Sequence, residues 1–584
     1  MRCLMSVGRT WAVSLLGIHG AMVEVEADIS QSLPRLVIIG LADRSLGEAE
    51  GRVRLAATNS GCRLPTGRIT VNLSPAGLPK AGAGFDLAIA LACLAADARL
   101  PLESVARVVH LGELGLDGRL RATRGILPAV LAARDAGFLR IMVPAANGPE
   151  AQLVPGVEII PIESLRAAAI WHGADLEPID DPRVLAHAGT VTHPGDSVSA
   201  EVGEPAGAPV ASAAPASPGE PGRSELAEST IASDGRLGGD VVADGAVATL
   251  GTAPRRLRDS LPGAEPSLAD VIGQDVAVDA LTTAAAGGHH LGMIGPPGAG
   301  KSMLAARLPS LLPDLSLEEA LEVAAVRSVN GDSLDAGIPT RPPWEAPHHS
   351  ASVISIIGGG SGLIRPGAAA RAAHGVLFLD EAAEFPSHVL DTLRQPLETG
   401  EIVIHRAIGA ASFPGRFQLI LAANPCPCGY YDDKNMRCRC PAQNIRRYQA
   451  RLSGPLLDRI DIRIRVNPLT LPELRLARDS PHHDHAAIRT RIHQARDRAR
   501  HRLRDTPWTQ ASEVPGSWLR EGPRQITPEA LSALDHSLAR ERLSMRGYDR
   551  VLRVAWTVAD LAEHGVPTAD DVSHALDLRE GFPT

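Results

Sequence analysis

The stretch LGMIGPPGAGKS, residues 291–302, decides the fold of this chain. It separates Gly295 from Gly300-Lys301-Ser302 by four residues. An apolar run, HHLGMI, leads into it, and a helix-forming run, MLAARLPSLL, follows. A strand, a glycine-rich turn and a helix in that order are the setting of a phosphate-binding P-loop. Glycines let backbone N–H groups curl round phosphate oxygens, and the helix N-terminus faces the negative charge. Gly295, Pro296, Pro297, Gly298, Ala299 and Gly300 would form the cradle for ATP. Lys301 would reach the β- and γ-phosphates, and Ser302 would ligate Mg2+. The competing reading is an ordinary glycine-rich turn. Lysine usage weighs against it: of 58 basic residues only Lys80, Lys301 and Lys434 are lysines. A chain that writes Arg elsewhere keeps Lys where a compact ammonium is needed.

Working outward, GVLFLDE (375–381) is an apolar strand ending in two carboxylates. Asp380 suits the Mg2+ shell, and Glu381 suits a base that polarises the attacking water. In isolation they would be ordinary turn acids; after a P-loop they are not. RFQLILAANP (416–425) is a further strand and ends in Asn424. Its amide would orient water at the γ-phosphate, or else it is a turn residue before Pro425.

Strand, P-loop, acidic strand, Asn strand and then helices is an order that resembles the AAA+ ATPases. In LSGPLLDRIDIRI (452–464), Arg459 resembles the finger that reaches a neighbouring subunit's γ-phosphate. In SMRGYDRVLR (544–553), Arg546 resembles the lid's sensor arginine, with Arg550 and Arg553 as rivals. The bland alternative for each is a solvated or salt-bridged arginine. A finger acting in trans implies a closed ring, and the resemblance implies a homohexamer.

APHHSAS, IIGGGSGLIRPG, LRQPLETGEIVIHRA, NPCPCG and SGPLLDRIDI narrow the resemblance, as do GLADRSLGEAEGRVRLAATNSG and ITVNLSPAGLPKAGAGFDLAIAL. Together they are similar to the Mg-chelatase-like ATPases of the YifB/ComM family, over nearly the whole chain. Trp344-Glu345 departs from the Phe-Arg more usual there, which weakens a nucleic-acid role for that turn. The resemblance implies a ring ATPase on single-stranded or branched DNA that drives branch migration in recombination and natural transformation. Arg365, in a Gly-rich loop, and His405 and Arg406, near the tip of an expected hairpin, would track a phosphate backbone. Each is equally open to a structural reading. A second functional class stays open: a MoxR- or chelatase-like chaperone that remodels a protein or a metal-insertion complex.

GLPKAGAGFDLAIAL also resembles the Lon protease domain, of ribosomal-protein-S5-like fold. Gly82, Ala83 and Gly84 leave no serine at the nucleophile's place, and no lysine occurs between Lys80 and Lys301. A Ser–Lys dyad needs both, so peptidase activity is not expected. Lys80 either binds an anion or stabilises its turn.

The fold class is therefore multidomain α/β. An S5/Lon-like α+β domain is expected at 1–187, with AVSLLGIHGAMVEVEADI as its first strand. A disordered Ala/Pro/Gly-rich linker at 188–262, typified by AGAPVASAAPASPGEPG, is long enough to uncouple the domains it joins. An AAA+ P-loop domain follows at 263–470 and a helical lid at 471–584. Net charge is −9, so any nucleic-acid contact needs a local basic surface. No apolar run reaches the ~18 residues of a membrane span, and the N-terminus is poor as a signal peptide. A cytoplasmic protein is expected, with no membrane partner.

Four of the seven cysteines crowd into one loop: Cys426, Cys428, Cys438 and Cys440. Four thiolates on facing turns can hold structural Zn2+, although C-x-C is tighter than the usual spacing. Unligated thiols or redox chemistry are the alternatives. By its place between Asn424 and Arg459, a metal here would act on ring assembly or coupling before ATP binding. His482, His483 and His485 resemble a metal tract but suit an exposed linker better. The helix after them, with seven arginines against three aspartates over 481–505, reads as a solvated lid helix or a DNA-facing one.

Overall fold

The computed structural model describes residues 7–40, 43–80, 84–178, 265–360, 364–406, 409–431, 437–479, 483–522 and 525–579. The expected linker at 188–262 lies outside these residues, as do Gly82, Ala83, Lys434 and His482.

The N-terminal part builds a seven-stranded mixed sheet. Its order is Arg35–Ile39, Arg68–Ser74, His19–Ser30, Gly8–Leu16, Val109–His110, Arg140–Pro144, Glu158–Ile162. The helix Asp86–Ala96 is almost wholly buried against it, as its unbroken DLAIALACLAA composition requires. The long first strand expected from AVSLLGIHGAMVEVEADI is instead a hairpin, Gly8–Leu16 pairing antiparallel with His19–Ser30. Gly17 takes φ +71° at the turn, a conformation open to glycine without penalty. Lys80 is buried, and its ammonium donates to the carbonyls of Pro75 (2.5 Å) and Leu78 (3.3 Å). That is the turn-stabilising role.

The second part holds a five-stranded parallel sheet, ordered Trp344–Glu345, Val376–Leu379, Gln418–Ala423, Leu291–Ile294, Ile462–Arg465. Strands covered on both faces are near-continuously apolar, as VLFL and QLILAA show; the one polar member, buried Gln418, donates to the carbonyls of Ala284 (2.9 Å) and His289 (2.7 Å). The P-loop strand sits between the Asn strand and Ile462–Arg465, so the acids, the lysine and the asparagine emerge at the same edge. Two departures have local causes. The helix expected from MLAARLPSLL breaks into Lys301–Ala305 and Leu308–Leu311 around Pro309. The Arg-rich helix His485–Leu503 is not solvated all round: Ile492, Ala495, Ala499 and Leu503 are buried. Several of its arginines are spent internally. Arg496 donates twice to the Ala285 carbonyl, and Arg502 grips Asp560 while lying 4.4 Å from the Trp556 ring centre. His483 donates to the Gly273 carbonyl and His485 accepts from the Leu268 amide, so both pack against the domain's start.

The N-terminal domain is not uncoupled from the rest. The described residues within 7–178 and 265–579 belong to one compact unit. Ala324, Ala325 and Leu334 join a core with Val13, Ile126 and Val130, and Ser328 receives the amides of Gly125 (3.1 Å) and Leu127 (3.4 Å). Gly17 bridges Ser412 of the hairpin Glu401–Arg406/Gly409–Pro414. A side chain at Gly17 would strike the Ser412 carbonyl at 2.0 Å.

Candidate functional site: the phosphate-binding edge

A cavity of about 420 Å3 opens at the C-terminal edge of the parallel sheet. Pro297 to Met303, Asp380, Glu381 and Ala422 to Asn424 line it. Gly298 and Gly300 take φ +77° and +93°, the left-handed conformations from which an anion-binding nest of backbone amides is built. Lys301 is buried at the helix start, and its ammonium donates to Gly295 O (2.7 Å), Pro296 O (3.0 Å) and Asn424 Oδ1 (3.1 Å). Burial pulls its pKa below the ordinary lysine value, while Asp380 and Glu381 oppose that shift.

Ser302 Oγ donates to Asp380 Oδ2 at 2.6 Å. A hydroxyl and a carboxylate that close are one side of a hard-cation site of the kind Mg2+ takes. Glu381 stands beside them at φ +50°, a left-handed conformation uncommon outside glycine. Its Oε2 lies 3.0 Å from His349 Nδ1. The His349 ring in turn lies 4.0 Å, centre to centre, from His348. Sequence reasoning missed His349. Its signal was the His-His pair in APHHSAS, just past the strand that neighbours the acidic one in the sheet.

Trp344 and Glu345 also find their use. Trp344 stacks on Phe378 at 5.3 Å, and Glu345 accepts from Arg371 at 2.9 Å. Both residues are committed inside the fold.

Lys301, Ser302, Asp380, Glu381 and Asn424 therefore converge, whereas Arg459 and Arg546 lie outside this cavity. Arg459 donates to Glu398 and to the Pro455 carbonyl. The lid rivals separate clearly. Arg550 pairs with fully buried Asp461 at 2.7 Å, and Arg553 donates to the Val514 carbonyl. Arg546 is exposed and makes no hydrogen bond or ion pair among the described residues.

Arg365, His405 and Arg406 are exposed. The fold brings their two hairpins together: a Cβ at Gly359 would stand 3.0 Å from an Arg406 guanidinium nitrogen, and Gly359 pairs with Arg365. The sulfurs of Cys426, Cys428, Cys438 and Cys440 lie within 4.8 Å of one another.

Three family profiles match in chain order. They are "Subunit ChlI of Mg-chelatase" over residues 25–147, "Magnesium chelatase, subunit ChlI" over 267–474, and "Magnesium chelatase, subunit ChlI C-terminal" over 482–579. The sheet order, the P-loop edge and these matches define a Mg-chelatase-like AAA+ protein, a class whose membership implies ATPase activity. A Mycobacterium tuberculosis protein described as uncharacterized is 41% identical over 579 residues, 99% of either chain. YifB of Escherichia coli is 34% identical over 577 residues, 98% of this chain and 97% of that one. Competence protein ComM of Haemophilus influenzae is 34% identical over 560 residues, 95% and 94% of the two chains. The chain belongs to the YifB/ComM family of Mg-chelatase-like proteins. No helix among the described residues is long and apolar enough to cross a membrane.

Proposed function

We propose that this protein is an ATP-hydrolysing motor that works as a homohexameric ring on single-stranded or branched DNA in the cytoplasm and drives branch migration. The carrying observation is the convergence of Lys301, the Ser302–Asp380 pair, Glu381 and Asn424 on one cavity. Lys301 binds the phosphates, Ser302 and Asp380 hold Mg2+, Glu381 polarises water and Asn424 senses the γ-phosphate. Arg459 acts on the neighbouring subunit's nucleotide, and Arg546 closes the lid. Supporting Arg546 over its rivals is that it has no partner among the described residues, whereas Arg550 is held by Asp461 and Arg553 by the Val514 carbonyl.

For DNA, the support is the adjacency of the Arg365 turn to the His405–Arg406 hairpin tip, which sets two exposed guanidinium groups beside glycine backbone. The competence named in the ComM relative fits a role in integrating incoming single strands. The four cysteines hold structural Zn2+. The N-terminal domain is read as S5/Lon-like without a protease dyad; it would brace the hairpin through Gly17 and Ser412.

ATP turnover should rise on adding forked or single-stranded DNA at low salt, and the protein should migrate a synthetic three-stranded or four-way junction. DNA that neither binds nor stimulates would transfer the reading to a chaperone that remodels a protein or metal-insertion complex.

A further inference from the structure

The four-cysteine loop bears on the phosphate site more directly than its place in the sequence implies. Sulfur separations are 3.3 Å for Cys426–Cys428, 3.7 Å for Cys428–Cys438 and 3.8 Å for Cys426–Cys438. A disulfide needs about 2.05 Å, so these are free thiols. With Zn–S bonds of about 2.3 Å, a sulfur tetrahedron has edges of about 3.8 Å, close to these spacings. Cys426 is buried, and the Tyr431 amide donates to its sulfur at 3.3 Å, an outer contact that fixes a thiolate ligand. Four soft sulfurs and no oxygen among the clustered groups select zinc over Mg2+ or Ca2+.

The same loop flanks the P-loop twice. Asn424, two residues before Cys426, accepts from Lys301. Gly429, directly after Cys428, takes φ +82° and lies so close to Pro297 that a Cβ there would stand 2.4 Å from Pro297 Cδ. Behind it, Gln449 Nε2 donates to the Pro425 carbonyl at 3.0 Å. Pro297 lines the phosphate cavity.

We propose that Cys426, Cys428, Cys438 and Cys440 bind one zinc ion that holds the Gly429 turn against Pro297, so that metal loading sets nucleotide affinity at the P-loop. The metal half stands alone; the coupling half rests on the nucleotide site proposed above. The contact moves the effect of metal loss from ring assembly to nucleotide binding.

The test uses the full chain. Metal analysis of the protein purified with zinc should give ~1 zinc per chain, and a cadmium-loaded sample should show the ultraviolet thiolate-to-cadmium band. Affinity for a fluorescent ATP analogue is then measured before zinc-selective chelation, after it, and after zinc is returned, with Mg2+ in excess throughout. Chelation should weaken binding roughly tenfold or more, and returned zinc should restore it. The double variant Cys438→Ser/Cys440→Ser should lose zinc and reproduce the weak binding without chelator. Circular dichroism confirms that it remains folded; if it does not, the chelation series on the unaltered chain decides. Absence of stoichiometric zinc overturns the site. Zinc lost and regained at constant nucleotide affinity overturns the coupling. A zinc-loaded chain that binds no nucleotide overturns the ATPase reading and the coupling but leaves the metal site standing.

Discussion

His349 Nδ1 lies 3.0 Å from Glu381 Oε2, so the carboxylate assigned to water activation is held by a residue from the neighbouring strand's end. Beyond His349 the chain runs through Ser352, which caps the helix Val353–Ile357, into the Gly358–Gly359/Arg365–Pro366 hairpin. The carboxylate is thus tied to a segment that leads to the proposed DNA contact.

His349→Ala should therefore lower ATP turnover roughly 10- to 100-fold through misplacement of Glu381. Nucleotide affinity should stay within about twofold, because no phosphate contact is removed. Steady-state turnover beside analogue titration checks this. Unchanged turnover, both basal and with DNA, would mean that the pair is incidental.

Lys301→Ala and Glu381→Gln should separate binding from chemistry. The first removes the buried ammonium proposed to bind the phosphates and should abolish nucleotide binding. The second keeps the shape of Glu381 but not its basicity. It should bind normally and lose about 10²- to 10⁴-fold in turnover. Normal hydrolysis by Glu381→Gln would displace Glu381 from the role of base.

Arg459→Ala should leave isolated subunits binding ATP while the assembled ring fails to turn over. Glu398→Gln, which loosens the partner that holds Arg459, should leave the ring active. If Arg459→Ala turns over normally as a ring, the finger assignment fails and the Glu398 contact is the residue's whole role.

Asp461 is fully buried between Arg550 (2.7 Å) and His289 (3.3 Å), and although burial opposes its charge, Arg550 and His289 hold its pKa well below the carboxylate range. Asp461→Asn removes the buried charge that Arg550 and His289 face and leaves the half-buried Arg550 guanidinium without its carboxylate. Urea unfolding should show a loss of about 3–5 kcal/mol. A loss under about 1 kcal/mol would show that the lid is anchored elsewhere.

Acid should destabilise the fold through buried histidines. Thr10 Oγ1 meets His110 Nδ1 at 2.6 Å, His110 Nε2 meets His172 Nε2 at 2.9 Å, and His172 Nδ1 meets Ser104 at 2.8 Å. Burial holds His172 near pKa 4 and His110 well below its ordinary value; His290 is also pulled to about 4. The unfolded chain takes up these protons near pH 6.5 and the native one does not. Stability is therefore full above about pH 6.5 and falls toward pH 4, by at most about 1.4 kcal/mol per pH unit for each histidine. Urea midpoints between pH 7.5 and 5 should show this, and His172→Gln should flatten the slope.

The sequence by itself determined what depends on short-range backbone geometry. Gly295-x4-Gly300-Lys301-Ser302 specified a strand, a cradle and a helix; GVLFLDE placed two acids at a strand end; four cysteines in a short span specified a sulfur cluster. These are legible because spacing alone fixes which groups face one way. AVSLLGIHGAMVEVEADI was misread as one strand because its turn is carried only by Gly17 at positive φ, which composition does not mark. Tertiary structure decided which strand ends became neighbours, and with that everything that crosses between segments. Parallel pairing of Trp344–Glu345 with Val376–Leu379 brings His349 to Glu381. Packing of the C-terminal helices beside Ile462–Arg465 pairs Arg550 with the buried Asp461 and leaves Arg546 exposed and without a partner among the described residues. The contact of Gly429 with Pro297 sets the cysteine loop against the first residue of the glycine-rich turn that lines the cavity. Each joins residues between 32 and 132 positions apart or lies across separate elements, and such pairings are set by which apolar faces must be buried together rather than by local spacing.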